Sequence, residues 1–345
     1  MNKVIEVKTD DIVSSVVVGK VEKELDNYLK GCKRVIVITD ATVKGFYGSL
    51  IEKFEHIVIG QGEENKNLMA LGAIYSSLLE FGADRHTTIV GIGGGIVTDI
   101  TGFVASTYQR GVDFGFVATT LLSQVDASVG GKNGVNHDRF KNMIGLFSQP
   151  RFVICDAQML STLPLREFRA GISEIIKAGV IKSSLLFEKF EQNSLETFLT
   201  NRELLEEVIF ESIKIKAAVV EQDETEKGER KKLNLGHTIG HAIEKSTSNF
   251  IHGEAVAIGM VLAAELGVKC GITPVSVLER VEKVVENFGF SLECGVDKDT
   301  LFEALKSDKK RNQESVDFIL PTAIGEAKIV NFKFSELEKI FKEEF

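Results

Sequence analysis

The chain contains 345 residues, 43% hydrophobic and 26% charged, a composition typical of a folded globular protein long enough for two domains. Its 41 Lys and Arg against 50 Asp and Glu give a net charge of −9, which argues against nucleic acid as a partner because phosphate neutralisation needs a basic surface. The sequence has no run of 18 apolar residues, no apolar leader and no CxxC pair among its four cysteines, so we expect a cytoplasmic protein with reduced thiols and no membrane partner.

The predicted elements of the first half alternate between strands and helices. Short runs of β-branched and apolar residues predict strands, and apolar residues three or four positions apart predict a helix over residues 67–81. The predicted strands are residues 34–39, 54–59, 87–92, 112–118 and 152–155. Strands that alternate with helices are typical of a parallel α/β sheet.

The pattern changes after about residue 158, where helical periodicity becomes dominant. The predicted helices are residues 164–181, 188–199, 202–220, 237–245, 255–270, 275–288 and 299–306. Strand signals fade, apart from residues 318–320 and 327–330. We therefore predict an α/β domain over residues 1–158 and a mostly helical domain over residues 159–345.

A glycine-rich turn follows the predicted strand at residues 87–92. Gly93, Gly94 and Gly95 come directly before a helix, where free N–H groups and the helix dipole favour a phosphate. The strict dinucleotide fingerprint fails, because Ile96 stands where a third glycine or an alanine is needed. Three consecutive glycines favour a phosphate-binding turn over a tight turn without a ligand.

Residues 127–133 superficially resemble a nucleoside triphosphate loop. The first glycine of that motif is missing, and Asn133 replaces its Ser or Thr, so a P-loop enzyme is rejected. The small residues still indicate backbone near a ligand, with Lys132 directed at an anion.

Three of the six histidines lie close together in the sequence. His237 and His241 are four residues apart on one predicted helical face, and His252 follows 15 residues after His237. A zincin metalloprotease is unlikely, because Thr238 stands where its Glu is needed. Imidazoles suit Zn²⁺, although chance clustering is the alternative. Glu174 and Lys177 lie one helical turn apart, but spacing alone describes an ordinary surface ion pair and gives no reason to prefer Glu174 as a ligand.

A series of motifs occurs in one order along the chain. It comprises Gly93-Gly94-Gly95 with Asp99, Gly102-Phe103, Tyr108-Gln109-Arg110-Gly111, Thr119-Thr120-Leu121-Leu122, Val125-Asp126, Gly130-Gly131-Lys132, Lys141-Asn142, Thr162-Leu163-Pro164, Glu174-Ile175-Ile176-Lys177, Asn234 with Gly236-His237-Thr238, Gly240-His241-Ala242-Ile243-Glu244, and His252-Gly253-Glu254. This series resembles the 3-dehydroquinate synthase family of sugar phosphate cyclases over about residues 40–325.

The resemblance implies an enzyme of the shikimate pathway, which leads to chorismate and the aromatic amino acids. Its substrate would be 3-deoxy-D-arabino-heptulosonate 7-phosphate, and its products 3-dehydroquinate and phosphate. The family reaction is a transient oxidation by NAD, elimination of phosphate, reduction, ring opening and intramolecular aldol closure. A divalent metal, usually Zn²⁺ with Co²⁺ as an alternative, and a homodimer are also implied.

The resemblance also assigns site residues. The metal ligands would be Glu174, His237 and His252. The NAD contacts would be Asp40, Glu63, Lys66, Gly94, Gly95, Ile96, Val97, Thr98, Asp99, Thr119, Thr120, Lys132, Lys141, Leu160, Ser161 and Thr162. The substrate and catalytic residues would be Arg110, Asp126, Lys132, Lys141, Asn142, Lys177, Lys216, Arg230, Asn234, His241 and either Lys309 or Lys310.

Physical chemistry supports these implied roles. A substrate with a carboxylate and a phosphate needs Arg and Lys around it, even inside an acidic protein. His241 is a candidate proton carrier, because the unperturbed pKa of histidine is near 6.5. We further expect Lys132 and Asn142 to hold the phosphate end. In residues 221–232, a solvated charged loop is the plainer interpretation, with Arg230 and Glu226 assigned to the site only by the resemblance.

Two departures and three alternatives accompany the resemblance. Ala118 stands where the family usually has Pro, and Asn67 where it often has Ser. A related sugar phosphate cyclase is the nearest alternative, but Asn142, Asn234 and Lys309 or Lys310 keep the dehydroquinate synthase pattern. A metal-dependent polyol dehydrogenase would lack the motifs around Lys132 and Lys141. No implied ligand is missing, which argues against a non-catalytic relative.

Overall fold

The computed structural model describes residues 3–9, 12–138, 140–308 and 314–343. The chain divides into two compact units. The first unit consists of residues 1–168 and 216–225, and the second of residues 169–215 and 226–345. The domain limit near residue 158 stays a prediction, and the short segment 216–225 is an addition to the first unit that the sequence patterns did not indicate.

Nine strands and four helices build most of the first unit. The strands are β1 (Lys3–Lys8), β2 (Val13–Val18), β3 (Arg34–Asp40), β4 (Glu55–Ile59), β5 (Thr87–Gly93), β6 (Phe114–Ala118), β7 (Lys132–His137), β8 (Phe140–Phe147) and β9 (Phe152–Cys155). The helices are α1 (Val21–Leu29), α2 (Ala41–Ile51), α3 (Leu68–Glu80) and α4 (Gly95–Thr107). Seven strands form one sheet in the order β1-β2-β9-β6-β5-β3-β4, and β7 and β8 form a separate antiparallel pair.

The central strands of this sheet are parallel, and helices α2, α3 and α4 form the crossovers that connect β3, β4, β5 and β6. Every residue of β5, β6 and β9 is buried, which explains their continuous apolar runs. The antiparallel pair β1–β2 forms one edge of the sheet. The predicted parallel α/β architecture is confirmed, whereas β1, β2, β7 and β8 were not among the predicted strands.

The strand order reverses between β3 and β5. From β3 the chain moves outward to β4, and from β4 it crosses back to β5 and continues through β6 to β9. Ligands of such sheets bind in the crevice beyond the carboxyl ends of the strands on either side of this reversal. The glycine turn that follows β5 lies at this position.

The second unit is mostly helical, as predicted. Its elements are α5 (Leu165–Lys182), α6 (Ser184–Gln192), α7 (Leu195–Thr200), α8 (Arg202–Gln222), α9 (His237–Ser246), α10 (His252–Lys269), α11 (Val275–Asn287), α12 (Lys298–Asp308), β10 (Ser315–Ala323), β11 (Glu326–Lys333) and α13 (Phe334–Glu343). Helix α5 begins, and helix α8 ends, with residues of the first unit. Within the described residues, no helix is long and apolar enough to cross a bilayer.

Close packing of α9 against α10 depends on glycine. A Cβ atom added to Gly259 would lie 2.1 Å from the carbonyl oxygen of Gly236. Gly236 itself has a φ of +79°, a conformation that glycine adopts without strain. Since His237 follows Gly236 and His252 begins α10, this packing brings two histidines near each other.

Candidate active site

The glycine turn of the first unit leaves no room for side chains. A Cβ atom on Gly93 would lie 2.4 Å from the Val97 side chain, and one on Gly94 would lie 3.0 Å from Thr120. Gly94 is the N-cap of α4, and no side chain caps this end of the helix. The N–H groups of the first turn are therefore suited to an anion such as the pyrophosphate of a dinucleotide. The residues present fit NAD.

Neighbouring strand ends place three further predicted NAD contacts along this edge. Asp40 ends β3 and caps α2, since its carboxylate accepts a hydrogen bond of 2.9 Å from the Val43 N–H. Thr119 follows β6 and donates its N–H to the Gly93 carbonyl at 2.9 Å. Thr120 accepts from the Ser123 N–H at 3.1 Å. Their contact with the dinucleotide stays a prediction.

A buried ion pair lies beside the glycine turn. The Lys66 ammonium pairs with the Asp99 carboxylate in the first turns of α4 and also donates to Asn142 Oδ1 at 2.6 Å. Lys66 is 4% exposed. Burial raises the pKa of Asp99 from 3.8 to about 6, and the adjacent Lys66 ammonium limits the rise. This pair joins two of the predicted NAD contacts to a predicted substrate contact.

Four other predicted NAD contacts lie in two short turns. Glu63 begins the 3-10 turn Glu63–Asn65, and its carboxylate accepts a hydrogen bond of 2.8 Å from Asn136 Nδ2. Leu160, Ser161 and Thr162 end the 3-10 turn Ala157–Thr162. The Thr162 hydroxyl is 2.8 Å from the Tyr47 hydroxyl, which also donates to the Met159 carbonyl.

Lys216 contacts Asp126 within the first unit, although the two residues are 90 positions apart. Its ammonium donates to Asp126 Oδ1 at 2.5 Å and to the Asp126 carbonyl at 2.6 Å. Asp126 lies in the π-helical turn Ser123–Ala127, a type of turn frequent at functional sites. The structure thus joins two predicted substrate residues that the sequence could not pair.

Three predicted cationic or polar contacts are exposed in the first unit. Lys132 begins β7, while Lys141 lies on β8. Arg110 follows α4 and has a φ of +69°, next to Gln109 with a φ of +52°. Two successive side-chain-bearing residues in the left-handed region are uncommon and indicate a constrained turn.

Three elements of the second unit bring together the residues assigned to the metal. Glu174 lies in the middle of α5, and His237 and His252 are the first residues of α9 and α10. Glu174 Oε1 is 3.6 Å from His237 Nε2 and 3.9 Å from His252 Nε2. One ligand atom from each of the three lies within 4.8 Å of the others, a spacing that suits one ion.

The surroundings of Glu174 support a cation at this position. Its side chain is 2% exposed; Oε2 pairs with the Lys177 ammonium, whereas Oε1, which faces both histidine rings, has no hydrogen-bond donor among the described residues. Lys177 is itself 3% exposed. The pair is therefore buried, whereas the spacing of Glu174 and Lys177 in the sequence indicated an ordinary surface ion pair. A buried carboxylate oxygen without a hydrogen bond is costly unless a nearby positive charge compensates it. The residues present therefore fit a divalent metal ion.

Hydrogen bonds orient both histidine rings toward Glu174. His237 Nδ1 is 3.2 Å from the Leu235 carbonyl, and His252 Nδ1 is 3.3 Å from the Glu244 carboxylate. A carbonyl or carboxylate oxygen can only accept, so Nδ1 carries the proton in each ring and Nε2 keeps a lone pair for a metal. Glu244 lies in one of the motifs shared with the family, but the sequence alone gives it no role.

His241 does not belong to the candidate metal group formed by Glu174, His237 and His252. Its ring lies 5.6 Å from the His237 ring and 6.1 Å from the His252 ring, centroid to centroid. Its ligand atom forms a second candidate group with Glu244 and His252. The four-residue spacing between His237 and His241 therefore does not show which histidines belong to the same candidate metal group.

The segment between α8 and α9 contributes two further predicted contacts. Arg230 is 2% exposed and lies in the 3-10 turn Glu229–Asn234. Asn234 Nδ2 donates to the Glu226 carboxylate. Burial separates Arg230 from the solvated charged loop expected for most of residues 221–232, and its contact with substrate stays a prediction. Lys309 and Lys310 lie outside the described residues, so the choice between them stays a prediction.

Comparison with known proteins agrees with this geometry. The model of the 3-dehydroquinate synthase N-terminal domain matches residues 56–170, and that of the C-terminal domain matches residues 171–311. A 3-dehydroquinate synthase of Rippkaea orientalis (strain PCC 8801 / RF-1) is 42% identical over 326 residues, which cover 90% of this chain and 89% of the relative.

Two solved structures share the fold at 25% sequence identity. One is a 2-deoxy-scyllo-inosose synthase complexed with carbaglucose-6-phosphate, NAD⁺ and Co²⁺, with a TM-score of 0.88 over 99% of this chain and 100% of the other. The other is a 2-epi-5-epi-valiolone synthase from Streptomyces hygroscopicus subsp. jinggangensis 5008 with NAD⁺ and Zn²⁺, with a TM-score of 0.87 over 98% and 99% of the two chains.

Fold and site together define the class of sugar phosphate cyclases, in which a nucleotide-binding α/β unit is combined with a helical unit that carries a metal site. The two family matches together span more than half of the chain, and the relative is 42% identical over most of it. The chain belongs to the 3-dehydroquinate synthase family.

Proposed function

We infer that this chain is an enzyme that converts 3-deoxy-D-arabino-heptulosonate 7-phosphate into 3-dehydroquinate and phosphate. The observation that carries this conclusion is the group formed by Glu174, His237 and His252, in a chain 42% identical to a 3-dehydroquinate synthase. The glycine turn before α4 supplies the dinucleotide site that the same reaction needs. The enzyme is a lyase of the shikimate pathway.

Each unit holds one part of the chemistry. When bound, NAD⁺ accepts and returns a hydride, and a divalent ion such as Zn²⁺ or Co²⁺ polarises a substrate hydroxyl. Glu174, His237 and His252 would hold the ion. The turn that begins α4, with Asp40, Glu63, Lys66, Thr119 and Thr120, would hold the dinucleotide.

The remaining polar residues bind and orient the substrate in our proposal. Lys132 and Asn142 hold the phosphate, while Arg110, Lys141, Lys177 and Arg230 provide positive charge for an anionic sugar acid in a chain of net charge −9. Lys216 fixes Asp126 through one hydrogen bond to its carboxylate and one to its main-chain carbonyl. His241 carries a proton to or from the substrate. The protein contributes mainly position and electrostatic stabilisation.

A stoichiometric assay tests this function. Metal-loaded protein is mixed with 3-deoxy-D-arabino-heptulosonate 7-phosphate and a trace of NAD⁺, while phosphate and 3-dehydroquinate are both measured. We expect equal amounts of the two products, far above the amount of NAD⁺, because the reaction has no net redox change. The His252→Ala variant should lose turnover, and the Lys306→Ala variant, at a partly exposed residue that pairs with Glu303, should keep it.

Other outcomes of the assay would point to the alternatives. Product from glucose 6-phosphate or sedoheptulose 7-phosphate, and none from the expected substrate, would identify a related sugar phosphate cyclase. NADH that accumulates in bulk with a simple polyol would identify a polyol dehydrogenase.

We also propose that the enzyme works in the cytoplasm as a homodimer without a nucleic-acid or membrane partner. The family resemblance supports the dimer, and the acidic composition supports the absence of nucleic acid. Light scattering coupled to size-exclusion chromatography should give twice the mass of one chain. A single-chain mass at micromolar concentration would contradict the dimer.

A further inference from the structure

The β7–β8 hairpin contains an irregularity beside the predicted NAD contacts. Val135 pairs with Ile144, but the next pair is His137 with Phe140. One residue of β7, Asn136, is therefore opposite three residues of β8, at positions 141–143. A bulge of this kind redirects side chains and is frequent beside functional sites.

Asn136 makes four hydrogen bonds at this bulge. Its Oδ1 accepts from the Asn142 N–H at 2.8 Å. Its Nδ2 donates to Glu63 Oε1 at 2.8 Å and to the Glu63 carbonyl at 3.3 Å. Its own N–H donates to the Lys66 carbonyl at 2.8 Å. The orientation of the amide is determined by chemistry, because an N–H can only donate and a carbonyl can only accept.

These bonds hold two separate segments in one arrangement. Asn142 has a φ of +51°, an uncommon conformation that the bond from its N–H to Asn136 stabilises. In this conformation Asn142 Oδ1 accepts from the Lys66 ammonium, which also pairs with Asp99. Asn136 thus connects the turn that carries Glu63 and Lys66 with the bulge that carries Asn142.

We propose that Asn136 is a positioning residue for NAD binding, which acts through Glu63, Lys66 and Asn142. The proposal rests on the function proposed above, which assigns Glu63 and Lys66 to the dinucleotide. Asn136 does not belong to the candidate metal group, and its hydrogen-bond partners among the described residues all lie in the first unit.

The Asn136→Asp variant tests this role with little change of shape. The carboxylate keeps the acceptor for Asn142 but loses the donor to Glu63, and it places a second negative charge beside the Glu63 carboxylate. Asn27→Asp is the matched control, because Asn27 on α1 also donates its amide to a glutamate, Glu24, at 3.5 Å. Calorimetry on the full chain measures the Kd for NAD⁺, and separate titrations measure the Kd for Zn²⁺ and the melting temperature.

We expect Asn136→Asp to weaken NAD⁺ binding about tenfold or more, with Zn²⁺ affinity and melting temperature as in the Asn27→Asp control. A Kd for NAD⁺ within twofold of the wild-type value would overturn the proposal. If Asn136→Asp melts well below the control, Asn136→Ser replaces it and the same two outcomes apply. A wild-type chain that does not bind NAD⁺ would instead overturn the proposed function.

Discussion

Glu174 carries a buried negative charge that its surroundings compensate only in part. Lys177 pairs with it, and the two histidine rings turn Nε2 toward Oε1. The His252 ring keeps this orientation because Glu244 accepts from Nδ1 at 3.3 Å. Residues that orient a metal ligand in this way affect metal affinity without touching the ion.

We predict that Glu244→Gln lowers Zn²⁺ affinity roughly tenfold or more, because the amide removes the negative charge behind His252. Glu303→Gln is the control, since Glu303 is exposed and pairs with Lys306 on the surface of α12. Competition with a chromogenic chelator measures both affinities. Equal affinities in the two variants would show that Glu244 does not support the metal site.

Asp99 predicts a pH dependence of stability. Its pKa is raised by burial from 3.8 to about 6, so the folded chain binds this proton more tightly than the unfolded chain. The stabilisation is therefore present below the unfolded pKa and is lost as pH rises through about 6. Between pH 5 and 7.5, the wild type should lose about 1.4 kcal/mol relative to Asp99→Asn, which stays neutral.

Urea unfolding of both proteins at the two pH values measures this difference. A stability difference that stays constant between pH 5 and 7.5, or that changes in the opposite direction, would contradict the raised pKa.

Glycines determine how closely the elements of the metal site approach. The contact between Gly236 and Gly259 lets α9 and α10 pack backbone against backbone. Gly253, in the first turn of α10, lies against Ala170 of α5, where an added Cβ would be 2.4 Å from the backbone. All three helices that carry metal ligands thus meet through small residues.

Gly259→Ala should destabilise the chain by at least about 2 kcal/mol and weaken Zn²⁺ binding, because the new methyl group pushes α10 away from the residue before His237. Gly72→Ala on α3 is the matched control, since an added Cβ there has nothing within 4 Å. In that open helical position, alanine should stabilise by about 0.5–1 kcal/mol. Thermal and urea unfolding measure both, and similar shifts in the two variants would contradict the packing argument.

The sequence predicted most of the elements because their signals are local. Strand runs, helical periodicity and the glycine turn each occupy a short stretch of chain. Asn67, which stands where the family often has Ser, has a local function. Its side chain caps α3 by accepting a hydrogen bond from the Ala70 N–H at 3.0 Å. The β7–β8 hairpin was missed because its strands are mixed in polarity and interrupted by the bulge at Asn136.

At the scale of the whole molecule, the chain passes between the two units three times, after residues 168, 215 and 225. The second unit is thus built from two separate stretches of sequence, and its candidate metal ligands come from both of them. Glu174 belongs to the first stretch, and His237 and His252 belong to the second. A bound ion would therefore tie the two stretches together.

Removal of the metal should lower the melting temperature for this reason. Zn²⁺ at one hundred times its Kd should stabilise the folded chain by about 2.7 kcal/mol, and a chelator should abolish the gain. Glu174→Ala should show no Zn²⁺-dependent shift, while its response to NAD⁺ should remain. A wild-type melting temperature that is independent of Zn²⁺ would contradict a metal site in the folded state.

The sequence alone indicated most of the helices and strands, the glycine turn and the histidine pair, because each depends on residues close together in the chain. Family resemblance added Glu174, although spacing gave no reason to choose it over other acids. Only the tertiary structure joined Lys216 to Asp126, buried Lys177 with Glu174 and placed Asn136 between Glu63 and Asn142. The partners in the Lys216–Asp126 and Asn136–Glu63 contacts are 90 and 73 positions apart, so packing rather than local pattern decides which of many similar side chains meet.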